Sequence, residues 1–144
     1  MIKIICVGKL KEKYLSDGVL DYLNRIRKYH KISLVELNDS NIQNEGNEII
    51  KHIDKKDFII CMDIDGENMS SLEFANFIDK TFIINSNITF IIGGSDGIRD
   101  DIKKMANYRF SFSKLTFPHG LFRLILLEQI YRSFKILNNE SYHK

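Results

Sequence analysis

The chain has 144 residues, of which 44% are hydrophobic and 28% charged, with six tyrosines and ten phenylalanines. That supply of core material excludes a disordered chain, and the length predicts one domain over residues 1–144 rather than two. The net charge of +2 hides a division. Residues 1–35 carry +5, residues 36–102 carry −9 and residues 103–144 carry +6. Basic ends around an acidic middle fit an anionic partner that meets both ends, and fit a merely solvated surface equally well.

In chain order, Ile2 to Val7 is a β-branched run that ends at Gly8 and reads as a first strand. Its basic residues follow the apolar stretch, the reverse of a secretory signal, so a cytoplasmic protein is expected. Tyr14 to Tyr29 carries Leu15, Val19, Tyr22, Leu23 and Ile26 at helical spacing. Ile32 to Leu37 alternates as a second strand. Asn38 to Asn47 is polar and reads as a loop, with a short helix over Glu48 to Ile53. Phe58 to Ile64 is a third strand, and Asp65-Gly66 predicts a turn. Ser70 and Glu73 have capping-box spacing at the head of a helix carrying Phe74, Phe77 and Ile78.

Ile88 to Ile92 is a fourth strand that runs into Gly93-Gly94-Ser95-Asp96-Gly97. A short helix follows over Arg99 to Ala106, then a strand over Tyr108 to Ser113. Lys114 to Pro118 is a loop, and His119 to Asn138 is the strongest helix. Alternating strands and helices predict an α/β fold, a mostly parallel sheet with helices on both faces. The last helix is apolar over most of its girth: Leu121, Leu124, Ile125 and Tyr131 form one stripe, widened by Phe122, Leu126, Ile130 and Phe134. A second subunit is the natural cover, so a homodimer is expected, its buried surplus including Leu126.

Familiar nucleotide signatures are missing. No G-x-G-x-x-G follows the first strand, and Gly8-Lys9-Leu10 lacks the rest of a phosphate loop. Asp63 and Asp65 make a weak metal pair without further ligands, so no metal is expected. Cys6 and Cys61 sit in apolar runs and read as buried thiols. What remains is a group of loops at the C-terminal ends of strands, where open α/β sheets bind ligands. They begin at Met62, Gly93 and Phe112. Glycine lets backbone approach a ligand, and the third loop mixes apolar side chains with exposed amides, which suits a flat ring such as adenine. Tight turns without a ligand explain the same spacings.

Ile91 to Gly97, Ser111 to His119, Arg123, Glu128-Gln129-Ile130-Tyr131-Arg132 and the terminal Tyr142-His143-Lys144 together resemble the RlmH family of SPOUT methyltransferases. Val7 to Lys11 and Asn44-Glu45-Gly46 match as well, while the stretch around Asn38 to Gln43 is shorter than is usual in that family. The resemblance covers essentially the whole chain. It implies an α/β knot with a threaded C-terminal segment, a homodimer paired through the knot, and methylation of N3 of a pseudouridine in 23S (large-subunit) ribosomal RNA. It also implies that S-adenosyl-L-methionine is held by Met62, Gly93, Phe112, Ser113, Lys114, Leu115, Thr116 and Phe117. A SPOUT enzyme acting on another RNA such as tRNA, or a non-catalytic RNA-binding module, stands as the alternative.

The imide N–H of such a base is a poor nucleophile until its proton leaves, so a general base is required. Of four histidines, His30 and His52 read as solvated. His119 starts the last helix, where RNA positioning and a structural role are equally open. Composition alone makes His143 an idle tail residue. The resemblance implies the opposite: His143 as base or proton relay, Tyr142 as its catalytic partner at the nucleobase, and Arg123 and Lys144 on phosphate.

Overall fold

A computed structural model describes all residues, Met1–Lys144. The elements run β1 (Ile2–Val7), α1 (Lys13–Ile26), β2 (Ile32–Leu37), α2 (Ile42–Lys51), β3 (Phe58–Glu67), α3 (Ser71–Ile84), β4 (Ile88–Ile92), α4 (Asp100–Met105), β5 (Tyr108–Phe110) and α5 (His119–Leu137). The five strands form one sheet in the order β2-β1-β4-β3-β5. Every pairing is parallel.

Strand alternation divides the core into two. Ile2, Ile4 and Cys6 of β1, Ile60 and Met62 of β3, and Ile88, Phe90 and Ile92 of β4 face one side, under α1, α3 and α5. Ile5, Val7, Ile59, Cys61 and Ile91 face the other, under Ile49 of α2 and Ile102 of α4. Strands buried on both faces need largely apolar runs, which is how β1, β4 and the first half of β3 are written. The α/β class and its two helical layers are as expected.

Three local expectations are corrected. The stretch read as a loop over Asn38 to Asn47 contains the first half of α2, which starts at Ile42. Asn41 caps it by accepting from the Asn44 N–H at 2.8 Å. The buried face there is Glu45, Gly46 and Ile49, so apolar periodicity barely marks it. Asp65-Gly66 is not a turn, because β3 continues to Glu67. β5 pairs across an irregularity in which Met62 and Glu67 both meet Phe110. A Cβ on Gly66 would lie 2.7 Å from the Arg109 carbonyl group, so this glycine serves strand approach. β5 itself stops at Phe110, three residues early, after which Ser111 still donates to the Glu67 carbonyl at 2.9 Å.

The capping box of α3 is present in both directions, with Ser70 and Glu73 exchanging side-chain-to-backbone bonds. Both cysteines are free and buried. Burial pushes each thiol up to about 12, with smaller effects from nearby charges. Since the thiolate is the nucleophile, neither should react with an alkylating reagent at pH 8 until the chain unfolds. A thiol count in buffer and in guanidinium checks this; fast labelling of the native protein would contradict the burial.

Candidate active site

A cavity of about 310 Å³ opens at the C-terminal ends of β3, β4 and β5. Its wall is built from Met62–Asp65, the Ile92–Ser95 stretch, Phe112, Ser113 and Leu115–Phe117, with His119 and Phe122 from α5 and Lys103 from α4. Its size lies at the lower end of small-ligand pockets. Met62, Gly93, Phe112, Ser113, Leu115, Thr116 and Phe117 are therefore brought together as expected. Lys114 is not on the wall, and its side chain is exposed.

The segment after β5 is anchored by rings. Phe110, Phe112 and Phe122 pack in series, edge-to-face and then tilted, at centroid distances of 5.1 and 5.2 Å, and Phe117 adds to Phe122 at 6.3 Å. Ser111 Oγ donates to the Ser113 carbonyl, and the Leu115 N–H to Ser113 Oγ. The main-chain N–H groups of Phe112, Ser113, Lys114, Thr116 and Phe117 have no partner within the chain. The unused donors at the wall residues Phe112, Ser113, Thr116 and Phe117, beside apolar rings, suit the edge and faces of a heteroaromatic ligand. The donor set fits an adenosyl group.

The opposite wall closes on itself. Gly94 and Gly97 form a bridge, with the Gly97 N–H donating to the Gly94 carbonyl at 3.0 Å and Gly97 at φ +83. A Cβ on Gly93 would lie 2.6 Å from the Gly97 carbonyl group. Gly93 is thus required by the loop's own closure. That is the tight-turn role the spacing also allowed, beside any approach to a ligand.

Arg123 is the main correction. It is 1% exposed, inside the molecule. Nη1 pairs with Glu36 Oε2 at 2.6 Å, and Nη2 donates to the Gly8 carbonyl at 3.0 Å, while Nε has no partner. This guanidinium ties α5 to the end of β1 and cannot meet phosphate as it stands. Arg123→Met should cost about 2 kcal/mol of stability, less than a fully buried pair because Glu36 is partly open to water. It should leave the salt dependence of RNA affinity unchanged, because no phosphate contact is lost. Denaturant melts and binding at two salt concentrations check both halves.

His119 and the tail lie apart. His119 stands in the cavity wall at the start of α5. The tail docks further along the same helix. Tyr142 donates to Glu128 Oε1 at 3.0 Å, packs edge-on to Tyr131 and lies under Arg132, whose guanidinium carbon is 4.8 Å from the ring centroid. Arg132 Nη1 is 3.1 Å from His143 Nδ1. At the helical rise, Glu128 and Arg132 are roughly 14 and 20 Å along α5 from His119. His143 and Tyr142 do not line the cavity of their own chain, and Lys144 is exposed at the end. Sequence reasoning assigned no role to Glu128 and Arg132 individually. Their i, i+4 spacing was the available signal, and they form an ion pair at 2.8 Å.

Burial raises the Tyr142 hydroxyl above the ordinary phenol value, helped by the neighbouring Tyr22 hydroxyl and the Glu128 carboxylate. It is therefore a donor at neutral pH and not a base. The two basic ends of the chain meet here. Arg25 of α1 lies over Tyr22 and Tyr131, at 5.4 and 5.5 Å from their centroids. No group of three His, Cys, Asp or Glu side chains stands close enough to hold a metal ion.

The model of the predicted SPOUT methyltransferases matches residues 1–143. Ribosomal RNA large subunit methyltransferase H of Carboxydothermus hydrogenoformans is 43% identical, over 99% of both chains. That of Clostridium acetobutylicum is 45% identical, again over 99% of both. Among solved structures, a probable methylase family protein from Haemophilus influenzae superposes with a TM-score of 0.60 at 9% identity, covering 99% of this chain and 70% of that one. The sheet order, the cavity at its C-terminal edge and these full-length matches agree: the chain belongs to the SPOUT methyltransferases, within the group of ribosomal RNA large subunit methyltransferase H.

Proposed function

We propose that this protein methylates N3 of a pseudouridine in 23S ribosomal RNA, using S-adenosylmethionine. The observation that carries the reading is the set of unused main-chain donors at Phe112, Ser113, Thr116 and Phe117, in the wall of a small-ligand cavity that the Gly93 loop also lines. It occurs in a chain that matches large-subunit rRNA methyltransferases from end to end.

When bound, S-adenosylmethionine supplies an electrophilic methyl group on its sulfonium. The chain's own residues position and deprotonate. The Phe112–Phe117 amides and Met62 would hold the adenosine, and His119 in the wall would position the RNA base. His143 would take the imide proton and Tyr142 would contact the nucleobase, while Lys144 would meet phosphate. Because a chain's tail docks away from its own cavity, this reading requires a second copy, whose His143 completes the site. The exposed Leu121, beside half-buried Leu124 and Ile125, supplies an apolar stripe for that homodimer. The C-terminal knot and a cytoplasmic location belong to the same proposal, with rRNA in the large subunit or the assembled ribosome as partner. No helix is long and apolar enough to cross a membrane.

The test is mass spectrometry of 23S rRNA from cells with and without the gene. One methylated pseudouridine should lose its methyl group in the deletion and regain it on re-expression. An unchanged rRNA with a lost tRNA methyl group would overturn the substrate.

A further inference from the structure

One corner of the cavity is built differently from the rest. Alternation along β3 sends Met62 toward the α1, α3 and α5 side, and the next residue, Asp63, toward the side covered by α2 and α4. Asp63 is thus set beside Lys103 of α4 and Arg109 of β5. Its side chain is 5% exposed. Oδ1 accepts the Asp65 N–H at 3.1 Å. Oδ2 lies 3.7 Å from Lys103 Nζ and 4.0 Å from Arg109 Nη1, outside hydrogen-bond contact with either. Lys103 is 25% exposed, and no hydrogen bond engages its ammonium. Both Asp63 and Lys103 line the cavity, while Arg109 does not.

A nearly buried carboxylate and a loosely held ammonium, side by side in a cavity wall, form a dipole with unspent hydrogen-bonding capacity. Charged groups taken out of water gain most from partners of opposite sign at hydrogen-bond range. The complement is another dipole, reversed: one ammonium and one carboxylate close together, as on an α-amino acid. Resting on the cofactor reading above, we propose that Asp63 and Lys103 receive the methionyl end of S-adenosylmethionine, Asp63 the α-ammonium and Lys103 the α-carboxylate. The main-chain amides from Phe112 to Phe117 would then recognise the adenosine, and this corner would recognise the amino acid. The division assigns two binding residues outside the glycine-rich and Phe112–Phe117 segments.

The test separates the two halves of the ligand by calorimetry. S-adenosylhomocysteine carries the amino acid, and 5′-methylthioadenosine lacks it, while both have a neutral sulfur. Wild type should bind the first more tightly. Lys103→Met should weaken S-adenosylhomocysteine about tenfold or more, the range for a charge-assisted hydrogen bond, and leave methylthioadenosine unchanged. Asp63→Asn keeps the acceptor for the Asp65 N–H and should show the same selective loss. Equal losses for both ligands, or none for either, would overturn the assignment while leaving the cofactor reading in place. Wild type that binds neither ligand would overturn the cofactor reading and this inference with it.

Discussion

Removing Tyr142, His143 and Lys144 should leave a folded chain whose methyl transfer has fallen by roughly a hundred- to ten-thousand-fold, the value of a positioned general base. The three residues add little core. Tyr142 packs on Tyr131 at the surface of α5, and His143 and Lys144 are exposed. Binding of S-adenosylhomocysteine should persist, because the tail is absent from the cavity wall. His143→Ala should lower kcat more than it weakens cofactor binding, and part of the loss should return at higher pH, where the imide proton leaves unaided. Tyr142 does not supply that recovery, since its hydroxyl is held protonated above the usual phenol range. The sign for tail docking follows. A raised tyrosine value stabilises the docked tail below about pH 10, the ordinary tyrosine value, and that contribution is lost as pH rises through the folded value. Tritium transfer to rRNA alongside calorimetry is the measurement. Full activity in the truncated chain would move the base to His119.

Leu126→Asp should be the most damaging single change, leaving little folded protein. Leu126 is 0% exposed within one chain, in the core under α1 and α3. This corrects its expected place between subunits. A buried unpaired carboxylate costs several kcal/mol, comparable with the whole stability of such a domain at about 5–15 kcal/mol. Leu126→Ala keeps the effect measurable, at about 2–5 kcal/mol. Leu121→Asp is the proper probe of association. At 36% exposed it should scarcely change the chain's own stability yet shift sedimentation from dimer to monomer. A stable, folded Leu126→Asp chain would contradict the packing. A Leu121→Asp chain that sediments like wild type would remove this stripe from the interface.

The different fates of Leu121 and Leu126 show what periodicity can carry. Hydrophobic spacing identified α5 and its bounds to within a residue, but not which apolar residues the rest of the chain covers. That depends on α1 and α3 arriving from distant sequence, and Leu126 and Ile130 fall where they meet. β1, β2 and β4 were legible because their apolar or alternating runs stop at clear breakers. α2 was not, since a glutamate and a glycine occupy its buried face. Glu45 is there because its carboxylate accepts the Ser40 N–H at 2.9 Å, and Gly46 because a Cβ would lie 2.7 Å from the Arg99 guanidinium. The cavity segments after β4 and β5 were legible as loops after strands, whereas the one expected at Met62 is part of β3. Arg123 was placed on phosphate by the family resemblance, and only the fold reveals Glu36 and the Gly8 carbonyl waiting for it.

The strand order has a consequence for synthesis. β4 lies between β1 and β3, so a nascent chain that has reached Ile84 holds two apolar strands with no strand to join them. β1 can pair with β2, but its other edge stays open, as do both edges of β3. Parallel pairs of this separation close late and slowly. Until Ile88 to Ile92 leaves the ribosome, the growing polypeptide therefore carries open sheet edges, which are sites for misassembly. A chain stopped before Ile88 should be captured by chaperones or aggregate, and one that includes β4 should become markedly more protease-resistant.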